Sequence, residues 1–338
     1  MFFSLKVKIL HFKQPAGTSR GVYLTRKIWL VYLSEGDKTG IGECAPLPDL
    51  SCDALPDNEY ESLLRHFCEK LCKTGEIDYD AMRDYPSMLF GIETALLSLH
   101  SSHLLFDTAF SRGEVGIPIN GLVWMGNYEE MLERMEEKLE KGFRCVKLKI
   151  GAIDFEKELD LIKKIRERFS FHEVELRVDA NGAFTYEDAL YKLELLSQYN
   201  IHSIEQPIKQ GQWAYMAELC RESPLPIALD EELIGVNDSE MKRHMLNVIK
   251  PRYIILKPSL HGGMMGCKEW IDIARDMGIG SWITSALESN IGLNAIAQFA
   301  SSVYGDNITM PQGLGTGQLF TDNIPMPLET RGDMLWHL

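Results

Sequence analysis

Two rhythms divide the chain. Over its first third, apolar and polar residues either alternate or recur at helical spacing. Positions 4–11, 22–33 and 40–45 alternate as strands do, since successive strand side chains point to opposite faces. A polar, glycine-bearing stretch at 13–21 and the turn Glu35-Gly36-Asp37 separate them, and a proline-rich loop follows at 46–50. Positions 58–73 and 87–105 have helical spacing, the second along Leu89, Ile92, Leu96 and Leu99. Residues 1–115 are thus expected to form an α+β unit, a β-meander followed by helices.

From Gly116 the rhythm changes. Short aliphatic runs alternate with amphipathic stretches in an α/β pattern. Strands are predicted at 117–124, 144–150, 174–179, 201–205, 227–230, 253–257 and 281–285, with a last short one at 309–315. Helices are predicted between them at 128–141, 155–168, 186–199, 212–221, 239–249, 264–277 and 291–301. Seven βα units and a final strand fit a (β/α)7β TIM-like barrel over 116–316. A doubly wound open sheet would need a phosphate-binding glycine turn after its first strand, and Gly121-Leu122-Val123-Trp124-Met125-Gly126 is not one. Residues 317–338 carry Pro325 and Pro327 and no barrel rhythm. They are expected to pack back on 1–115 and complete a capping domain.

Composition narrows the function classes. The 338 residues are 45% hydrophobic and 25% charged, as in a folded globular chain. A net charge of −14 argues against non-specific nucleic-acid binding and against an anionic membrane surface. A small anionic carboxylate substrate stays open, because a local cleft can be positive. No run of about 20 apolar residues suggests a membrane span. The N-terminus lacks the pattern of a secretion signal, and the seven scattered cysteines point to a reducing cytoplasm. His261-Gly262-Gly263-Met264-Met265-Gly266 reads as a glycine turn between strand and helix rather than a phosphate cradle.

Candidate chemistry sits at the strand ends. Lys149, Asp179, Glu205, Asp230 and Lys257 each close an aliphatic run just before a turn, 25 to 30 residues apart. One such acid could simply cap the next helix. Five in step would ring one rim, at the strands' C-terminal ends where barrel active sites are built. Three carboxylates on adjacent strands repel one another unless a cation neutralises them. Hard oxygen ligands with room for water and substrate suit Mg2+, with Mn2+ as a substitute. Lysines flank the acids on both sides, which suits removal of a proton next to a substrate carboxylate. A divalent ion would stabilise the doubled charge that results. A lysine near a cation and a second lysine has its pKa pushed down, toward the range of a base at neutral pH.

The capping unit, the Lys147-Leu148-Lys149 strand, the Asp/Glu/Asp ladder and the later Lys257 resemble the enolase superfamily. Two opposed lysines are similar to its muconate-lactonizing subgroup. The stretches 17–21, 285–292 and 313–320 resemble the o-succinylbenzoate synthase family. The resemblance implies Mg-dependent syn-dehydration of 2-succinyl-6-hydroxy-2,4-cyclohexadiene-1-carboxylate to o-succinylbenzoate, in menaquinone biosynthesis. By it, Lys149 takes the α-proton and returns a proton to the leaving hydroxyl. Lys257 stabilises the enediolate, and Lys147 lies behind Lys149 and tunes it. Asp179, Glu205 and Asp230 hold Mg2+, supported by Asn181 and Glu231. Arg20 and the loop at 46–53 close over the barrel mouth, while Ser285 and Gly315 lie where substrate binds. The same constellation could racemise N-succinyl amino acids or cycloisomerise muconate. Dipeptide epimerases carry Asp-x-Asp where this chain has Gly315-Thr316-Gly317, which counts against that activity. A barrel that merely binds a partner would not need all five polar rim groups. Oligomeric state is left open.

Overall fold

The computed structural model describes residues 1–18, 21–101 and 103–338. Strands β1 (Phe2–Thr18) and β2 (Gly21–Glu35) form a long antiparallel hairpin, and β3 (Lys38–Cys44) pairs with β2. The stretch at 13–18 is strand rather than loop. The pairing shifts register between His11 and Ala16, so β1 absorbs its surplus residues in an irregularity and continues. Arg20 lies outside the described residues. Helices α1 (Asp57–Thr74), α2 (Tyr79–Met82) and α3 (Pro86–Ser101) follow. Helix α3 is buried over most of its length because it packs on β3 to one side and on the barrel to the other.

The barrel half alternates strand and helix. Its elements are β4 (Ile117–Pro118), β5 (Gly121–Val123), α4 (Tyr128–Glu140), β6 (Cys145–Lys149), α5 (Phe155–Arg168), β7 (Glu175–Asp179) and α6 (Tyr186–Ser197). Then come β8 (Ser203–Glu205), α7 (Trp213–Glu222), β9 (Ile227–Leu229), α8 (Ser239–Ile249), β10 (Tyr253–Leu256), α9 (Gly263–Asp276), β11 (Gly280–Ile283) and α10 (Asn290–Tyr304). Strands β5 to β11 form one parallel sheet in sequence order.

Two predicted strands come out differently. Residues 117–124 are divided, because Ile117 and Pro118 pair with the C-terminal strand β13 (Met334–His337), itself paired with β12 (Leu328–Arg331). Residues 309–315 make only single bridges, Ile119 with Gln312 and Thr284 with Gly313. Those bridges join the first strand's segment to the last and curl the sheet into a closed TIM-like barrel. The Gln312 side chain reinforces the seam, accepting from Ile283 N at 2.7 Å.

The tail divides its contacts. Phe320 packs on Phe12 with ring centroids 4.6 Å apart, and Thr321 N donates to the His11 carbonyl at 2.9 Å. The final hairpin instead seats against β4.

Alternation in β6 sets the layers. Val146, Leu148 and Ile150 are fully buried against the helices, each contributing about 1.5–3 kcal/mol relative to exposure. Lys147 and Lys149 therefore point into the barrel. Below them Ala228, Ile255 and Trp282 pack with Tyr253 and Met310 and fill the interior. Gly151 ends the strand at φ +90, and a Cβ there would lie 2.4 Å from that of Ala183, so glycine is required for the turn.

Candidate active site

Parallel pairing delivers the predicted charges to one rim. Lys149 stands beside Asp179, and Asp179 beside Glu205, in direct register. Asp230 and Lys257 immediately follow β9 and β10. Lys149 Nζ donates to Asp179 Oδ2 and Asn181 Oδ1, each at 2.7 Å. Lys147 Nζ lies 2.8 Å from the same Asp179 oxygen and also donates to Glu205. From the opposite wall Lys257 donates to Asp230. Asn181 Nδ2 donates to Glu231 Oε1 at 2.9 Å. All eight residues thus belong to one cluster.

Burial and crowding set the protonation. Burial pushes Glu205 well above the usual carboxylate range, and Asp179 and Asp230 push it further. Asp179 is just as buried, yet Lys147 and Lys149 hold it well below that range. Burial opposes ionisation of Asp230, and Lys257 overcomes it, leaving a value of about 2. Lys147 is raised despite its burial, because Asp179, Glu205 and Asp230 surround it. Its ammonium is therefore committed to the acids, while sharing one Asp179 oxygen with Lys149.

The donor set suits a hard divalent cation. Glu205 Oε1 and Asp230 Oδ1 are buried without a hydrogen-bond partner, and such groups ordinarily have one. Four carboxylates, those of Asp179, Glu205, Asp230 and Glu231, face three ammoniums. Among the described residues no three acidic, cysteine or histidine side chains already converge as an ion cage. Lys147 and Lys257 fill the gaps between the acids, so an arriving cation would take over the neutralising role they play here.

Above the rim is an open cleft with a cavity of about 110 Å³. Leu47 and Leu50 from the capping loop, Tyr23 from β2, and Leu122 and Trp124 from the barrel form its apolar wall. Ser285 and Gly315 also line it, and Ser285 Oγ pairs with Thr316 Oγ1 at 2.5 Å. Asn181, Gln206 and Leu287 adopt left-handed backbone conformations, with φ of 44, 39 and 66. Strain of this kind persists where surrounding contacts over-determine the backbone, commonly at functional sites.

Sequence reasoning passed over Gln206. Its side-chain oxygen accepts from Asp230 N at 3.3 Å and Glu232 N at 3.2 Å, while its amide donates to Glu232 Oε2 at 3.1 Å. It ties the backbone next to Glu205 to that of Asp230. The available signal was a polar residue directly after a rim acid.

Comparison with known proteins places the chain. A family model described as Enolase C-terminal domain-like matches residues 130–328, and one described as MenC, N-terminal domain matches residues 19–99. An o-succinylbenzoate synthase of Desulfotalea psychrophila is 46% identical, covering 99% of this chain and 98% of that protein. The chain belongs to the o-succinylbenzoate synthase family of the enolase superfamily. The crystal structure of MenC from Desulfotalea psychrophila superposes with a TM-score of 0.82 at 43% identity, covering 99% of both chains. A dipeptide epimerase from Enterococcus faecalis, complexed with Mg and the dipeptide L-Leu-L-Tyr, shares the superfamily fold at 18% identity, with a TM-score of 0.80 and 99% of both chains covered. Among the described residues no helix is long and apolar enough to cross a membrane.

Proposed function

We propose that this chain is a hydro-lyase that dehydrates 2-succinyl-6-hydroxy-2,4-cyclohexadiene-1-carboxylate to o-succinylbenzoate for menaquinone biosynthesis. One observation carries the reading. Lys149 and Lys257 face each other across a row of buried carboxylates, in a chain 46% identical to an o-succinylbenzoate synthase over 99% of its length.

Lys149 acts as the base at the ring carbon bearing the carboxylate. Its ammonium, once formed, delivers that proton to the departing 6-hydroxyl on the same face, so the elimination is syn and water leaves. Asn181 and Asp179 orient the amine between these transfers. Lys257 places a positive charge opposite, where the substrate carboxylate gains electron density. Asp179, Glu205 and Asp230 would hold Mg2+, or Mn2+ in its place, with Asn181 and Glu231 steadying their geometry. That ion would offset the second negative charge on the substrate carboxylate. Lys147 lies one residue pair deeper and fixes Asp179 and Glu205. Ser285 and the backbone at Gly315 bind the polar succinyl end, while Leu47, Leu50 and Trp124 exclude water from the ring. Residues 1–115 with 317–338 form the closing unit, and 116–316 the catalytic barrel. Aromatisation makes the reaction strongly downhill, so the apolar wall needs only moderate complementarity to the ring.

The test is a direct assay of purified protein with Mg2+, run beside N-succinyl amino acid racemisation. The reading expects efficient o-succinylbenzoate formation, with racemisation slower or absent. Racemisation with no dehydration would replace it by the racemase alternative.

A further inference from the structure

Two buried glutamates outside the rim have no part in the chemistry above. Glu43 is the next-to-last residue of β3 and Glu93 lies within α3, both in the capping unit. Each reaches across to the barrel. Glu93 Oε2 accepts from Met264 N at 2.6 Å and Oε1 from Met265 N at 3.1 Å, at the start of α9. Glu43 Oε1 accepts from Ser289 N at 2.8 Å, and Oε2 from Gly292 N at 2.9 Å and from the Ser289 hydroxyl, at the start of α10. The first amides of a helix have no acceptor within it, and a carboxylate there also meets the positive end of the helix dipole.

The two side chains share one rigid mount. A Cβ on Gly42 would lie 1.8 Å from the Gly91 carbonyl, and one on Gly91 would lie 2.2 Å from Cys44 Sγ. Only glycines allow β3 and α3 to approach this closely, which fixes the spacing of the two carboxylates. Helices α9 and α10 follow the loops that carry Lys257 and Ser285 to Leu287. Ser259 Oγ links those loops by donating to Glu288 Oε1 at 2.6 Å. Burial pushes Glu43 up to about 7 and Glu93 up to about 8, against the pull of the N–H donors. Every oxygen of both groups faces a donor on the barrel side.

We infer that Glu43 and Glu93 are positioning residues, a two-pronged plug by which the capping unit sets the loops of Lys257 and Ser285 in catalytic register. The inference rests on the proposed dehydration. Glu93 acts on the loop behind Lys257, so its loss lowers kcat. Glu43 acts on the loop that meets the succinyl end, so its loss raises KM. A misplacement of about 1 Å at a reacting group can cost on the order of a hundredfold.

The experiment measures o-succinylbenzoate formation by the full chain and by Glu93→Gln, Glu43→Gln, Ser289→Ala and Leu71→Ala. Glutamine turns one acceptor into a donor facing a donor. Ser289→Ala removes one of the three bonds to Glu43 together with the helix cap to Ile291 N. Leu71→Ala loosens the capping core. Expected results are a kcat about tenfold lower for Glu93→Gln, a KM about fivefold to tenfold higher for Glu43→Gln, and a smaller KM rise for Ser289→Ala. Leu71→Ala should lower Tm and leave both constants within about twofold. Hydrogen exchange on the unaltered protein should find the amides of Met264, Met265 and Gly292 strongly protected, a readout that needs no variant. Wild-type kcat and KM in the folded glutamine variants, the same losses in Leu71→Ala, or fast exchange at those amides would each overturn the plug. An inactive unaltered protein would instead overturn the dehydration reading, leaving the exchange result to judge the plug alone.

Discussion

The two ends of the barrel bury charge in different ways. At the floor, Arg177 is 2% exposed, donates to Glu175 at 2.7 Å and to the Pro311 carbonyl at 2.9 Å, and lies 4.4 Å from the Trp282 ring centroid. Its one positive charge meets one carboxylate, a carbonyl dipole and an aromatic face. At the rim, four carboxylates share three ammoniums, and two of their buried oxygens have no hydrogen-bond partner. At the floor the charge is balanced one to one and closed off by the Trp282 ring. The rim opens into a cleft, beside three residues with strained backbones. Buried charge is therefore a poor guide to function by itself. What marks the rim is the crowding of four acids, with Glu205 and Asp230 oxygens unpartnered beside an open cleft, a donor set that would suit a cation.

The strongest way to break this contrast is removal of divalent cations. Chelation should abolish dehydration, and added Mg2+ should restore it, measured as product formation before and after. Full activity without cations would make the rim another structural plug. Glu205→Gln comes next. It removes one of the crowded charges, so kcat/KM should fall at least about a hundredfold. The cation-free protein should keep its Tm or gain, because burial and two neighbouring acids already disfavour that carboxylate. Arg177→Leu should show the reverse, with activity within a few fold of wild type and stability lower by about 2 kcal/mol in denaturant unfolding. The two variants together form a double dissociation between rim and floor.

A pH-dependent effect lies in the capping unit. Burial pushes Asp53 up to about 6, from an ordinary value of 3.8. The folded protein thus keeps a proton that the unfolded chain releases between those values. The stabilisation is complete below pH 3.8 and is lost as pH rises through about 6. Unfolding of wild type and Asp53→Asn, compared from pH 4 to pH 7, should show wild type losing up to about 3 kcal/mol relative to the variant. A constant difference would contradict the assignment.

The rim was legible because its signal repeats. A charged residue closing an aliphatic run once per βα unit is a periodic pattern, and parallel pairing turns that period into a ring. Arg177 sits two residues before Asp179 on the same face of β7, so alternation alone gave it no distinct role. Glu43 and Glu93 could not be read at all, since the amides they meet lie some 170 to 250 residues away. The strand at 13–18 was hidden by Gln14, Pro15 and Gly17: residues 14 and 15 fall in the register shift, and pairing with β2 resumes only at Ala16 to Thr18. The barrel's seam depends on isolated bridges at Gln312 and Gly313, which leave almost no hydrophobic period to detect.

The most direct test of the account is Lys149→Ala, assayed for product formation and, by calorimetry, for Mg2+ binding. The account predicts turnover lower by about 10⁴-fold with Mg2+ affinity and fold retained, because the base is lost while the carboxylates remain. Turnover at the wild-type rate would contradict it.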